Sequence, residues 1–215
     1  MQKYDPPPET DAAGAPARGR PRAFDREAAL HAAMLLFWEK GYEATSISEL
    51  TAAMGIGAPS LYAAFGSKEA LYAEALEHYG RCYDHYVWGR FGAATTAREA
   101  VRCYLMDSAA ALTGGGEMPL GCMMTLSSVG SEGHEALGEK VRAGRQVAYE
   151  RLFSRLQKGV EAGDVPAGTD IRALVQFVQT LQNGMSLMAR NGATGAELTA
   201  VAEVAMAAWD ARTKA

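Results

Sequence analysis

No apolar run in the 215-residue sequence approaches the ~20 residues needed to span a bilayer. The opening MQKYDPPPET has no apolar core of a secretory signal. Cysteine is scarce: Cys82, Cys103 and Cys122 are odd in number and too widely spaced for a disulfide framework. These absences predict a cytoplasmic protein with reduced thiols and no membrane attachment. The signatures of common enzymes are missing as well. There is no P-loop, no dinucleotide-binding glycine fingerprint, no His-Glu-x-x-His pair and no nucleophile elbow. Positive charge is also in short supply. The net charge is −4, and residues 17–70 hold six basic and six acidic side chains. A general nucleic-acid binder would be more basic. A site-specific one can work with a few placed phosphate contacts, backbone N–H groups and helix N-termini, at the cost of weak nonspecific binding and a modest salt slope. No segment alternates as a strand does, so the fold class predicted is all-α.

What is present concentrates between residues 45 and 69, TSISELTAAMGIGAPSLYAAFGSKE. Thr45 and Ser46 are N-cap residue types ahead of a helix with Ile47, Leu50, Ala53 and Met54 as its apolar positions. Glu49 follows Ser46 at capping-box spacing. Gly55 and Gly57 permit a sharp turn, and Ala58-Pro59 opens a second helix, where a missing N–H costs nothing. Leu61 and Phe65 lock that helix inward, which leaves Ser60, Tyr62, Ala63 and Ala64 facing out. Gly66 ends it, and Ser67 caps a third helix with Glu69 in its first turn. Two short helices around a tight turn are the device that places one helix in the DNA major groove, although such pairs also occur as plain helical packing.

The match extends from Gly19 to Leu76. Its residues are Arg20-Pro21-Arg22, a first helix over Ala28 to Phe37, and Gly41-Tyr42-Glu43-Ala44-Thr45-Ser46, followed by Ile47, Leu50, Ala53, Gly55, Ile56, Leu61-Tyr62, Phe65 and Lys68-Glu69-Ala70-Leu71. This run resembles the DNA-binding domain of TetR-family transcriptional regulators. The resemblance implies a double-stranded DNA operator as partner, a small-molecule effector, and a homodimer. It also implies contacts residue by residue. Tyr62 corresponds to a phosphate-binding tyrosine of the recognition helix, and Lys68 to a phosphate-binding lysine at the start of the fourth helix. Thr45 and Ser46 correspond to the phosphate-facing start of the second helix. Ala58, Pro59, Ser60 and Ala63 fall where base edges are approached, and none of them makes a bidentate base contact.

The domains expected are a disordered tail over 1–17, a helix-turn-helix domain with a basic arm over 18–67, and a regulatory and dimerisation domain over 68–215. Arg18, Arg20 and Arg22 lie on a Gly/Pro arm suited to a narrow minor groove; a solvated linker touching only phosphates is the other reading. Beyond a first helix over about 25–40 and a fourth from Lys68 to about Trp88, helices are predicted over 97–112, 119–128, 133–162, 170–190 and 196–212. Wide apolar stripes mark the last two: Ile171, Leu174, Val175, Phe177, Val178, Leu181, Met185 and Met188, then Leu198, Val201, Val204, Ala205, Ala208 and Trp209. They serve either an intramolecular core or a two-fold dimer through residues 170–212.

The effector pocket expected from the resemblance is assigned to Tyr83, Tyr86, Trp88, Cys122, Met123, Phe177, Leu181 and Met185, an aromatic and methionine-rich set suited to a hydrophobic or aromatic molecule and equally to core packing. His78, Cys82 and His85 share a helix face at i, i+4 and i+7, a spacing that presents two imidazoles and a thiolate. No fourth ligand is evident, so neither metal nor cofactor is assigned. Cys122, at a predicted helix start, has the setting of a reactive thiol or of a small buried residue. The function predicted is a ligand-responsive transcriptional repressor. The alternatives are a redox- or metal-responsive regulator of the same fold, or a helical small-molecule-binding protein or enzyme that does not bind DNA.

Overall fold

The computed structural model describes residues 25–115 and 118–213. The tail and the arm with Arg18, Arg20 and Arg22 lie outside these residues. Helices follow one another without a strand among the described residues: α1 (Arg26–Lys40), α2 (Ile47–Met54), α3 (Ala58–Phe65), α4 (Lys68–Ala93), α5 (Ala97–Leu112), α6 (Met123–Leu126), α7 (Glu135–Ala162), α8 (Ile171–Arg190) and α9 (Gly195–Thr213). None of them is long and apolar enough to cross a membrane.

Local chemistry starts and stops the first four. Asp25 caps α1 by accepting from the N–H groups of Glu27 and Ala28. Ser46 and Glu49 form a full capping box on α2. Gly55 then takes the left-handed conformation, with φ 65°, that lets α2 stop and α3 begin within three residues. Pro59 sits in the first turn of α3, and Ser67 caps α4 through the Ala70 N–H. Leu50, Leu61 and Phe65 turn inward against Phe37, Leu71 and Tyr72, and all six are buried. Ala53 faces solvent, and Ala64 is half-buried rather than exposed. This cluster continues past α4 to Met123, Val129, Leu137 and Val141, so one apolar core runs across residue 68.

In the larger part, α5 is buried on most of its circumference and acts as the axis. α4, α7, α8 and α9 pack around it. The end of α7 comes so close to the start of α5 that a Cβ on Gly159 would stand 2.7 Å from the Ala97 Cβ. The Asp164 carboxylate accepts the Ala97 N–H at 2.7 Å there.

Two predicted boundaries are corrected. α4 passes Trp88 and ends at Ala93, because Phe91 is buried against Trp88 and Tyr104 and holds the extra turn. The helix predicted over 119–128 shrinks to Met123–Leu126. Gly121 has φ 78°, and a Cβ there would lie 2.9 Å from the Ser186 carbonyl oxygen, so the chain bends through a left-handed glycine where a helix was expected. Arg145, from α7, donates to the carbonyls of Met124, Thr125 and Ser127 and holds the remaining short helix in place.

Glu49 accepts from Lys40 Nζ as well as closing the capping box. The lysine and the Ser46 N–H lower its carboxyl from 4.5 to about 2. The depressed folded value makes its contribution complete above about pH 4.5, with loss as pH falls toward 2. Glu49→Gln is expected to lower the melting temperature at pH 7 and to flatten its fall between pH 4.5 and 2, read by circular dichroism across that range.

Candidate nucleic-acid interface and effector cavity

The exposed face of α3 consists of Pro59, Ser60, Tyr62 and Ala63, with Ala58 half-exposed beside them. Tyr62 is 46% exposed and is the largest side chain on that surface. Lys68 begins α4 with its ammonium 4.2 Å from the centroid of the Tyr42 ring, which orients the charge without neutralising it. Ser46 is exposed, but its hydroxyl and N–H are both engaged with Glu49, so a phosphate there competes with the helix cap. Thr45 is a correction. Its side chain is fully buried and its hydroxyl donates to the Gly41 carbonyl at 2.6 Å, so it closes the α1–α2 turn from inside and offers no side-chain contact to DNA.

Behind this surface a cavity of about 1240 Å³ opens between α4, α7 and α8. Tyr83, Tyr86, Trp88 and Cys122 line it as predicted, joined by Trp38, Tyr79 and Tyr104. Tyr79 donates its hydroxyl to the Cys122 Sγ at 3.3 Å. Burial, then the adjacent cysteine, push this phenol well above its ordinary range, so it stays a donor. Cys122 precedes a helix of only four residues, a poor setting for dipole activation.

Met123, Phe177, Leu181 and Met185 do not line the cavity. Met123 and Met185 are buried in core clusters, Leu181 packs beside the α5 core, and Phe177 is 37% exposed. α8 instead presents Gln176, Gln179, Gln182 and Asn183, and with Arg145 and Arg172 these make one wall polar. The spacing of Gln176, Gln179 and Asn183 is the signal that was available: an amide stripe beside the apolar one.

Trp38 joins the two regions. It belongs to α1, lines the cavity, and donates its indole N–H to the Gly121 carbonyl at 3.2 Å. Arg190, the last residue of α8, reaches the same helix end and donates to the carbonyls of Glu39 and Trp38, both at 2.7 Å.

The predicted trio of His78, Cys82 and His85 does not assemble. His85 is exposed and lies against the Tyr86 ring. His31, from α1, stands next to His78 and Cys82 in its place. Burial first, then His31 and Arg81, lower the His78 pKa, which keeps that imidazole neutral.

Comparison with known proteins places this geometry. A model of the bacterial regulatory proteins of the tetR family matches residues 29–75. The chain is 33% identical over 200 residues to the HTH-type transcriptional repressor ComR of Escherichia coli (strain K12), covering 89% of this chain and 92% of that one. Over 61 residues, 28% of this chain and 31% of the other, it is 52% identical to the HTH-type transcriptional repressor BdcR of the same organism. Among solved structures, a cysteine mutant of the TetR family regulator CifR complexed with 26-bp double-strand operator DNA is 41% identical. It superposes with a TM-score of 0.83, covering 88% of this chain and all of that one.

Replacing the buried Thr45 hydroxyl separates a structural role from a DNA contact. Thr45→Val is expected to cost about 1–3 kcal/mol in urea unfolding, because the Gly41 carbonyl loses its partner, and to leave the DNA affinity of the folded protein unchanged in fluorescence anisotropy.

Proposed function

The chain belongs to the TetR family of transcriptional regulators, and from that premise we propose a homodimeric repressor that leaves a pseudo-palindromic operator when a small effector enters the α4–α8 cavity. It is a DNA-binding regulator and not an enzyme. Its site of action is then the cytoplasm, where the chromosome is. The observation that carries the effector response is Trp38, which stands in the cavity wall and in the scaffold of the reading head at once. An occupant that displaces Trp38 or Tyr79 moves α1 against α4 and changes the separation of two recognition helices. Seven aromatic side chains in the cavity lining and an amide row on α8 favour a flat aromatic molecule bearing polar groups.

We assign DNA reading to residues 18–67 and regulation to 68–215. Tyr62 and Lys68 take phosphates, Ser60 and Ala63 face base edges, and Arg18, Arg20 and Arg22 enter the neighbouring minor groove. The dimer is supported by the surface of α8 and α9. Phe177, Leu187, Met188 and Val204 are all exposed, with Val204 at 72%, and they cluster on these two helices. A two-fold pairing through them sets two recognition helices one helical turn of DNA apart, or a close multiple of it.

The test is selection of bound fragments from random DNA by the purified protein. A recovered pseudo-palindrome supports the reading; no enrichment at low salt from folded dimer overturns it. On the recovered site, Tyr62→Phe is expected to weaken binding about a hundredfold, the loss of a charge-assisted hydrogen bond in each half-site. Val204→Asp places a charge in the proposed interface. It is expected to yield folded monomer by analytical ultracentrifugation and to abolish operator binding at the concentrations where wild type binds.

A further inference from the structure

α1 and α4 meet at three metal-ligating side chains. His31 comes from α1, and His78 and Cys82 lie one turn apart on α4. His31 Nδ1 is 3.2 Å from His78 Nε2, and Cys82 Sγ is 3.4 Å from that same nitrogen. The three ligand atoms all lie within 4.8 Å of one another. His78 is buried, while His31 and Cys82 are half-buried, so the cluster has one side toward solvent.

Hydrogen bonding alone does not satisfy this arrangement. An imidazole nitrogen carries one in-plane proton or one in-plane lone pair. His78 Nε2 therefore serves His31 or Cys82, and not both. A cation at the centre serves all three. With Zn–N near ~2.05 Å and Zn–S near ~2.3 Å, tetrahedral geometry sets the N···N edge at roughly 3.3 Å and the N···S edge at roughly 3.6 Å. Both contacts to His78 are within a few tenths of an ångström of those edges, and the third edge, between His31 and Cys82, is bounded at 4.8 Å and closes on binding by rotation of these two half-buried side chains. Two imidazoles and a thiolate, with no carboxylate among them, suit a borderline-to-soft cation and exclude the hard oxygen-seeking ones.

We propose that His31, His78 and Cys82 bind one d10 cation, Zn2+ or Cu+, which clamps α1 to α4. Binding releases the Cys82 thiol proton to solvent and leaves the imidazole proton of His78 on Nδ1. Arg81 is exposed, and its 3.5 Å contact to that nitrogen is long, so it swings outward at little cost. The fourth position faces the open side and takes water. The clamp fixes α1, the scaffold of the reading head, against the helix that carries Lys68, and so shifts operator affinity. That consequence rests on the regulator reading; the site does not.

The experiment uses full-length protein, reduced and stripped by chelator, titrated with Co2+ and then with Zn2+ and Cu+ in separate competition arms. One cobalt per chain is expected, with a thiolate-to-cobalt charge-transfer band in the near ultraviolet. Cys82→Ser removes the band, and His31→Gln and His78→Gln each weaken affinity by about tenfold or more. His85→Gln and Cys122→Ser leave both intact. His31 is only half-buried, so His31→Gln keeps the test decisive if a change at buried His78 unfolds the chain. The competitor that displaces cobalt at lower concentration identifies the cation. No band in wild type, a band that survives Cys82→Ser, or dependence on His85 in place of His31 overturns the site. A cation that binds as expected but leaves operator affinity equal in wild type and Cys82→Ser overturns the clamp. The spectra need no DNA, so failure of the site and failure of the repressor reading remain distinct.

Discussion

The last carbonyls of a helix need partners, and in α1 the partner comes from the far end of the sequence. Arg190 donates to the Glu39 and Trp38 carbonyls from the C-terminus of α8. A cation at a helix C-terminus is favoured by the dipole as well as by the hydrogen bonds. Burial works against it and lowers the guanidinium pKa, while the nearby Glu39 carboxylate raises it. Beside this tie the small N-terminal bundle meets the rest of the molecule through α4, an apolar seam, the Trp38–Gly121 hydrogen bond and the His134–Glu43 contact. With it, α1 is held from two sides, and Trp38 is fixed where cavity and reading head touch. The wall of the cavity and the scaffold of the helix-turn-helix share one helix end.

The helix-turn-helix was legible because its instructions are local. Ser46 with Glu49, Gly55, Pro59, Gly66 and Ser67 each act within four residues of themselves, and each appears in the structure in its expected place. Thr45 was misread for a related reason. A threonine ahead of a helix has the same local pattern whether it caps, meets a phosphate or bonds backward, and only the Gly41 carbonyl behind it decides.

The cavity was legible on α4 and not on α8. Tyr83, Tyr86 and Trp88 are large side chains with one neighbouring surface to fill. α8 divides its circumference three ways, among the α5 core, the cavity and the outer surface, and an apolar stripe does not announce such a division. Met185 went to the core, Phe177 to the outside, and the amides between them to the cavity. The segment 119–128 failed for want of length: ten mostly apolar residues suit a helix by composition, and a single left-handed glycine outweighs them. His31 carries no sequence signal toward His78 and Cys82, because they are 47 and 51 positions away and the link is tertiary.

The charge balance of the reading head has a consequence in the cell. Lys40 is tied to Glu49 and Arg26 to Glu74, so part of the small stock of positive charge is already paired at the surface. A genome offers about 10⁶–10⁹ decoy sites to any DNA-binding protein, and their hold is mostly electrostatic. A head that grips decoys feebly loses few copies to them. For the regulator proposed above, the search would then be spent in solution more than in sliding, and a small pool of molecules would keep one operator occupied. Under the release mechanism proposed above, a copy that leaves its operator would not be stored on neighbouring DNA, and the operator would empty quickly.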